Sequence, residues 1–170
     1  NYHSTTVWEN YVSERYYTGP FSHGFIDGTN VGYVRYGSFM ESFSTSQLNF
    51  VLDRYKNTDG LVLDLRSNGG GSIFNVPLLL ERFNDQNRVV GYFRTRNGPD
   101  HNDFTEPSNF MINTYDGTAF TKPVIVLIDK GSYSATTMFA LATKAIPNII
   151  LIGDTTGGGG GLPNGGQLPN

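Results

Sequence analysis

Short apolar runs alternate along this chain of 170 residues with segments whose apolar residues recur at helical spacing. Continuous apolar runs are typical of strands buried on both faces of a sheet, and helical spacing is typical of helices packed on that sheet. The predicted strands are residues 31–36, 60–65, 88–96, 124–128 and 148–152, and the predicted helices are residues 45–55, 73–84 and 134–146. This order predicts an α/β fold with a largely parallel sheet flanked by helices.

Helix caps and an aromatic region refine this picture. Ser44 or Thr45 is placed to cap the first helix and Ser72 the second, because a hydroxyl can accept a bond from the free N–H groups of a first turn. Residues 1–30 are rich in Tyr, Trp and Phe but have no sustained period of strand or helix. We therefore predict an aromatic arm or linker over residues 1–30 and the core domain over residues 31–170.

Two further regions are rich in turn-forming residues. Residues 97–121 are polar and contain Gly-Pro, Glu-Pro and Asp-Gly pairs, which predicts a long loop that could cover a cleft. Residues 153–170 are glycine-rich and contain no closing element. We expect a fragment of a larger domain, incomplete at both ends.

Composition and charge narrow the function classes. The formal net charge is −3 and the 12 lysines and arginines are dispersed, which disfavours nucleic-acid binding. The chain has no cysteine, and His3, His23 and His101 lack the spacing of metal ligands. Its longest apolar runs are far shorter than the ~20 residues of a membrane-spanning helix. We expect no metal, no cofactor and no transmembrane segment.

The candidate chemistry lies at two strand ends. Ser134 stands where the strand at 124–128 breaks through Asp-Lys-Gly-Ser-Tyr into a helix, and Gly69-Gly-Gly71 follows the strand at 60–65. The carboxyl ends of parallel strands meet at one rim of the sheet, where ligands bind. A serine at a helix N-terminus beside glycine N–H groups is suited to be a nucleophile with an oxyanion hole, although such a serine is more often only an N-cap.

Other polar residues near these ends have simpler explanations. Asp64 and Arg66 lie on one strand face, which favours a structural ion pair, or a carboxylate that caps nearby backbone, over an acid/base role. A phosphate cradle at the glycines is disfavoured, because no Gly-Lys-Ser/Thr follows them. Lys130 and Lys144 are expected to be solvated.

Three ordered motifs span most of the predicted core. They are Gly60-Leu-Val-Leu-Asp-Leu-Arg-Ser-Asn-Gly-Gly-Gly71, Ser132-Tyr-Ser-Ala135 and Ile152-Gly-Asp-Thr-Thr-Gly157. Together they resemble the tail-specific, or C-terminal-processing, serine peptidase family, which includes the tricorn core and retinoid-binding-protein-like repeats. The resemblance implies a crotonase-like, or Clp-protease-like, core. It also implies a bacterial, extracytoplasmic enzyme that cleaves polypeptides near their C-termini by acyl transfer, without a cofactor.

The resemblance also implies roles for single residues. Ser134 would be the nucleophile, and the N–H groups of Ala135 and of Gly70 or Gly71 would form the oxyanion hole. One branch of the family uses a lysine as the base, and Gly159 stands at the matching position here. The chain therefore departs from that branch. The other branch uses a histidine upstream of the sheet and a glutamate downstream of the nucleophile.

The sequence does not decide which residue is the general base. His23 and His101 are candidate bases within the chain, since the sequence leaves the path of their segments open. We expect instead a base N-terminal to Asn1 and an acidic partner beyond Asn170. The alternative function is a catalytically inactive module of the same fold that binds a peptide or a small apolar ligand, with Ser134 as an N-cap. The missing lysine favours that alternative.

Overall fold

The computed structural model of the chain describes residues 2–162. Its helices are α1 (Ser4–Asn10), α2 (Thr45–Arg54), α3 (Asn75–Leu80) and α4 (Ala135–Thr143), and its strands are β1 (Val12–Thr18), β2 (Phe21–Ile26), β3 (Val31–Tyr36), β4 (Gly60–Asp64), β5 (Arg88–Phe93), β6 (Ser108–Ile112), β7 (Val124–Ile128) and β8 (Ile149–Gly153). A short 3-10 turn, Glu81–Phe83, follows α3. Residues 163–170, the end of the predicted turn-forming tail, lie outside the described residues.

Six strands form the main sheet in the order β1-β2-β3-β4-β7-β8. The pairs β3-β4, β4-β7 and β7-β8 are parallel, whereas β1-β2 and β2-β3 are antiparallel. Leu63 of β4 is paired with Val34 on one side and with Val126 on the other. The predicted α/β fold with a largely parallel sheet flanked by helices is confirmed.

The core lies between the sheet and the helices α2, α3 and α4. Alternate residues of the central strands, such as Leu63 and Val126, point to this side and are almost fully buried. They pack with Val51 of α2, Leu79 of α3 and Phe139 of α4. The opposite face is covered in part by α1, whose Val7 packs with residues of β1 and β3. Because the central strands are buried on the core face and at least partly buried on the other, their apolar runs are continuous.

The region of the predicted aromatic arm forms regular structure instead. Residues 4–26 supply α1 and the strands β1 and β2 of the main sheet. β1 lies at the edge of that sheet, with only Val12 fully buried, and its register shifts between Ser13 and Tyr16. An exposed edge strand with a bulge shows no alternation of apolar and polar residues, so no strand signal is visible in this part of the sequence. A domain boundary near residue 30 stays a prediction.

The predicted loop at 97–121 also contains regular structure. Its residues 108–112 form β6, which pairs with β5 in a separate two-stranded antiparallel sheet. Four of the five residues of β6 are at least partly exposed, and only Ile112 is buried. The prediction of one continuous loop was therefore wrong, because a short exposed strand carries little apolar pattern.

The two predicted caps have different outcomes. Ser44 caps α2 in a capping box, in which its hydroxyl accepts from the Gln47 N–H and its own N–H donates to the Gln47 side chain. Ser72 does not cap α3, whose N-cap is Phe74. The Ser72 N–H donates instead to the carbonyl of Phe39, because the glycine loop before it pairs with the segment after β3.

Among the described residues, no helix has the length and apolar character needed to cross a membrane.

Candidate active site

Ser134 occupies a sharp turn between β7 and α4. Its backbone angles are φ 55° and ψ −118°, in the left-handed region that a side chain disfavours, at a cost of about 1–3 kcal/mol. The Ser134 N–H donates to the carbonyl of Gly158 at 2.8 Å, and the Ser134 carbonyl accepts from Met138 at 3.1 Å. These bonds on both sides hold the serine in its strained conformation. Strain at a strand-to-helix turn is the feature that exposes the nucleophile in other hydrolase folds.

The hydroxyl of Ser134 does not cap α4. No bond joins it to the free N–H groups of the first turn, and it has no hydrogen-bond partner within residues 2–162. The side chain is half-buried and lines a cavity of about 470 Å³ with Tyr133, Gly159 and Leu162. The N-cap explanation for this serine is therefore removed, and its hydroxyl faces space that a ligand could occupy.

The glycine loop after β4 lies directly against Ser134. A Cβ atom placed on Gly70 would lie 2.7 Å from Ser134 Cβ and 2.9 Å from the nitrogen of Ala135. Gly70 also has a φ of 93°. A side chain is excluded here on both counts, so only glycine lets the two loops meet. The structure thus brings together Gly70, Ser134 and Ala135.

The N–H groups around this contact differ in their availability. Ala135 is the first residue of α4, and its N–H is unbonded within residues 2–162, as expected at the start of a helix. Gly70 donates its N–H to the side-chain oxygen of Asn68 at 3.0 Å. Gly71 lies against the segment after β3, where an added Cβ would meet the nitrogen of Met40 at 2.1 Å.

A buried aspartate joins the two loops. Asp129 accepts from the N–H of Ser67 at 2.7 Å and from the N–H of Gly131 at 2.9 Å. Burial by itself would raise the pKa of Asp129, but these hydrogen bonds hold that pKa below its usual value. Ser132 adds a second link, because its hydroxyl donates to the carbonyl of Leu65 at 2.8 Å. The carboxylate therefore stays ionised and connects the turn that carries Ser134 to the end of β4.

These linking residues were missed by the sequence reasoning. The available signal was Asp129-Lys-Gly-Ser132 directly after an apolar strand, since an aspartate in such a place often bonds the backbone two residues on. That bond is present from Gly131. The partner across the loops, Ser67, is 62 residues away in sequence and could not be read from the local pattern.

The predicted ion pair of Asp64 and Arg66 is confirmed. Arg66 Nη2 lies 2.5 Å from Asp64 Oδ2, and the carboxylate is fully buried. Tyr33 also donates its hydroxyl to Asp64 at 2.6 Å. Burial first, and then the charge of Asp64, raise the pKa of Tyr33. These contacts fix the end of β4 next to the glycine loop, and they leave the Asp64 carboxylate fully paired.

His23 is bonded in a buried site away from Ser134. Its two ring nitrogens lie 2.9 Å from the Thr18 hydroxyl and 2.8 Å from the Tyr55 hydroxyl. Burial, with a smaller effect from Arg54, lowers the pKa of His23 to about 4. His23 is in β2, which is three strands from β7 in the sheet order. The structure therefore gives this candidate base a structural position and does not bring it to Ser134.

His101 likewise has no hydrogen bond to Ser134 among the described residues. It lies in the exposed turn between β5 and β6, where its carbonyl accepts from Arg96 at 3.2 Å. Within residues 2–162, no histidine, lysine or carboxylate is hydrogen-bonded to the Ser134 hydroxyl. The same residues contain no cluster of His, Asp or Glu that could hold a metal ion.

Gly159 packs against the ring of Tyr133. It has a φ of 72°, and a Cβ placed there would lie 2.3 Å from Tyr133 Cζ. A lysine at this position would need both a strained backbone and a displaced tyrosine ring. The structure around residue 159 is therefore built for glycine, in agreement with the departure that the sequence shows.

Comparison with known proteins places the chain among peptidases. Residues 30–170 match the model of a family described as Peptidase family S41. The carboxy-terminal processing protease CtpA of Bacillus subtilis is 29% identical over 133 residues, which are 77% of this chain and 26% of that protein. Carboxyl-terminal-processing peptidase 3, chloroplastic, of Arabidopsis thaliana is 31% identical over 131 residues, which are 76% of this chain and 24% of that protein.

A solved structure shares the fold. The crystal structure of a candidate peptidase from Parabacteroides merdae superposes with a TM-score of 0.87 at 32% identity, over 97% of this chain and 56% of that one. The predicted crotonase-like, or Clp-protease-like, core is thereby confirmed. The chain spans about a quarter of the length of the curated relatives that it matches.

Proposed function

Since the chain belongs to peptidase family S41, we propose that it carries the nucleophile of a serine peptidase, and that this nucleophile is Ser134. One observation carries the proposal. The hydroxyl of Ser134 has no hydrogen-bond partner within residues 2–162, and the backbone of Ser134 is held at φ 55°. Gly70 and Ala135 lie directly beside it. A strained residue with a free hydroxyl beside unbonded N–H groups is the arrangement that acyl transfer requires.

The proposed reaction begins with attack of Ser134 Oγ on the carbonyl carbon of a peptide bond. The carbonyl oxygen becomes an oxyanion and accepts from the N–H of Ala135 and from a glycine N–H of the loop at 69–71. Collapse of this intermediate breaks the C–N bond, releases the amine and leaves an acyl-enzyme. Water then attacks the acyl carbon, the ester bond to Ser134 Oγ breaks, and the new C-terminal carboxylate is released with the serine hydroxyl restored. Each oxyanion donor is worth about 10²- to 10³-fold in rate.

A base must take the hydroxyl proton of Ser134 and return it to the leaving amine. No group within residues 2–162 contacts the hydroxyl in this way. We place the base, and the acidic partner that would orient it, outside those residues. This chain has glycine at 159, with a φ of 72° that disfavours any side chain, and this supports a histidine rather than a lysine as the base.

The proposed substrate is a polypeptide cleaved near its C-terminus, outside the cytoplasm. This part of the proposal rests on the resemblance and on the relatives described above, which are carboxy-terminal processing proteases. No cofactor is part of the reaction.

A catalytically inactive module that binds a peptide or a small apolar ligand is the second candidate. The observation that favours it is the lack of a base in contact with Ser134 within residues 2–162. In that case the cavity of about 470 Å³ beside Ser134 would hold the ligand without turnover.

A fluorophosphonate probe separates the two candidates. We expect the full-length protein to be labelled at Ser134, the Ser134→Ala variant to remain unlabelled, and a Ser72→Ala variant to be labelled like wild type. Ser72 is the matched control, because it follows the glycine loop but bonds through its backbone rather than its side chain. If wild type is unlabelled, or if the Ser134→Ala variant is labelled equally, the peptidase proposal is overturned. Peptide binding by an unlabelled wild type would then support the module.

A further inference from the structure

Asn68 is fully buried where the segments after β3, β4 and β7 meet. Its side-chain N–H donates to the carbonyl of Tyr36 at 3.0 Å, and its side-chain oxygen accepts from the N–H of Gly70 at 3.0 Å. Its backbone carbonyl accepts from the N–H of Tyr133 at 3.0 Å and from the hydroxyl of Thr136 at 3.0 Å. One residue therefore joins the end of β3, the glycine loop and the nucleophile turn.

The peptide between Gly70 and Gly71 has a defined direction. The carbonyl of Gly70 faces the segment after β3, where the Ser38 hydroxyl lies at 3.5 Å and Phe39 pairs with Gly71. All described peptide bonds are trans, so the N–H of Gly71 points the opposite way from that carbonyl. Because β4 lies between β3 and β7, the opposite way is the side of the Ser134 turn.

Availability of the two glycine N–H groups follows from these bonds. The N–H of Gly70 is occupied by the side chain of Asn68, whereas that of Gly71 is unbonded within residues 2–162. The unbonded group is the one directed toward the Ser134 turn. The sequence left Gly70 and Gly71 as equal candidates, and the bonding of Asn68 distinguishes them.

We propose that Asn68 is a positioning residue for the oxyanion hole, which holds the Gly70 N–H so that the Gly71 N–H serves the oxyanion together with that of Ala135. This inference rests on the proposed function of Ser134. It adds which glycine donates its N–H to the oxyanion, and which side chain fixes the orientation of that N–H.

The physical need for such a residue comes from the loop itself. Residues 69–71 are all glycine, so nothing in their own side chains limits the rotation of their peptides. A buried asparagine that accepts from one of these peptides and donates to the neighbouring strand end fixes their orientation before substrate arrives. Such preorganisation matters because a small misplacement of a catalytic group costs about 100-fold in rate.

Kinetics of the full-length protein test the inference. We expect Asn68→Ala to lower kcat for peptide hydrolysis about 100-fold, with KM changed by no more than about twofold. Asn75→Ala is the matched control. Asn75 is also a buried asparagine, and it donates to the carbonyl of Phe39 at 2.9 Å but has no bond to the glycine loop. Its variant should lose stability and keep kcat within about threefold of wild type.

A conservative variant covers the case in which Asn68→Ala does not fold. Asn68→Asp keeps an oxygen for the N–H of Gly70 but loses the donor to Tyr36. We expect its kcat to lie between those of wild type and Asn68→Ala. Equal kcat losses in the Asn68 and Asn75 variants, or a loss that appears only in KM, would overturn the positioning role.

A crystal structure of the full-length protein with a peptide boronate bound to Ser134 tests the donor itself. We expect the boronate oxygen that stands for the oxyanion to lie within hydrogen-bond distance of the nitrogens of Gly71 and Ala135, with Asn68 still bonded to Gly70. A boronate oxygen bonded to the nitrogen of Gly70, with the Asn68 side chain displaced, would overturn the inference and leave the function of Ser134 intact. Failure of wild type to react at Ser134 would remove both.

Discussion

Ser134 and His23 are polar residues of the same fold, but their side chains differ in hydrogen bonding. Both ring nitrogens of His23 have partners, Thr18 and Tyr55, and its side chain is fully buried. The hydroxyl of Ser134 has no partner within residues 2–162, and its backbone is held in a strained conformation. The difference supports the proposal that the serine, and not the histidine, is the residue used for chemistry.

The physical basis of this difference is the cost of unsatisfied polar groups. Buried polar groups in folded proteins almost always have hydrogen-bond partners, since a missing partner costs about 1–3 kcal/mol. His23 follows this rule, whereas Ser134 lines a cavity and has backbone strain in addition. Strain and unused bonding capacity that occur together are typical of active sites, because they prepare a group for a ligand.

The largest effect is expected from closing the contact beside Ser134. Gly70→Ala places a Cβ 2.7 Å from Ser134 Cβ at a φ of 93°. We expect kcat/KM to fall at least about 100-fold, and the free energy of unfolding to fall by about 2–4 kcal/mol, as measured by urea denaturation of the full-length protein. Gly69→Ala is the matched control, because a Cβ on Gly69 meets nothing within 4 Å. If both variants behave alike, the close contact at Gly70 is not what shapes the site.

The next largest effect is expected in the pH dependence of the unfolding free energy, through His23. Burial, with a smaller effect from Arg54, lowers the pKa of His23 from 6.5 to about 4 in the folded protein, so the unfolded chain binds the proton more readily. The stability that comes from keeping His23 neutral is complete above pH 6.5 and is lost as the pH falls toward about 4. The total change is about 3 kcal/mol.

Comparison of wild type with His23→Gln isolates this contribution from that of the carboxylates. A glutamine is neutral at all these pH values, so we expect the unfolding free energy of the variant to fall less steeply between pH 6.5 and 4. Peptidase activity at neutral pH should change little, because His23 is bonded to Thr18 and Tyr55 rather than to Ser134. A variant that folds normally but has no activity would restore His23 as a candidate base.

A smaller effect is expected from relief of the strain at Ser134. Ser134→Gly permits a φ of 55° without a side-chain penalty, so the full-length protein should gain about 1 kcal/mol in its free energy of unfolding. Ser134→Ala keeps the strain and removes a hydroxyl that has no partner, so its stability should stay close to that of wild type. Both variants should lack activity. A Ser134→Gly protein that is less stable than Ser134→Ala would show that the strain is not real.

The fold was predictable where burial governs the sequence. β4 and β7 are buried on one face and at least partly buried on the other, so continuous apolar runs mark them in the sequence. The capping box at Ser44 marks the start of α2. β1 and β6 were not predictable, because most of their side chains are exposed and select no apolar pattern. Local sequence carries the signal of an element only when the sheet or core constrains its side chains.

The same reasoning applies to the candidate site. Ser134 and Gly70 could be paired from sequence, because the ends of adjacent parallel strands must meet at one rim. The contacts that Asn68 and Asp129 make across the loops could not be predicted, because Tyr36 and Thr136 lie 32 and 68 residues from Asn68, and Ser67 lies 62 residues from Asp129. His23 was a candidate base only because its neighbours Thr18 and Tyr55 could not be known in advance.

The smallest effect is expected at Lys130, the lysine nearest to Ser134 in sequence. Its side chain is 77% exposed and lies 3.6 Å from Asp154, in an ion pair that is open to solvent. Exposed pairs of this kind are screened and add little to stability. We expect Lys130→Ala to leave both the melting temperature and the rate of fluorophosphonate labelling of the full-length protein unchanged. A large loss of labelling with normal folding would identify Lys130 as the base. The comparison of the hydrogen-bonded His23 with the unbonded Ser134 would then have to include this solvent-exposed lysine.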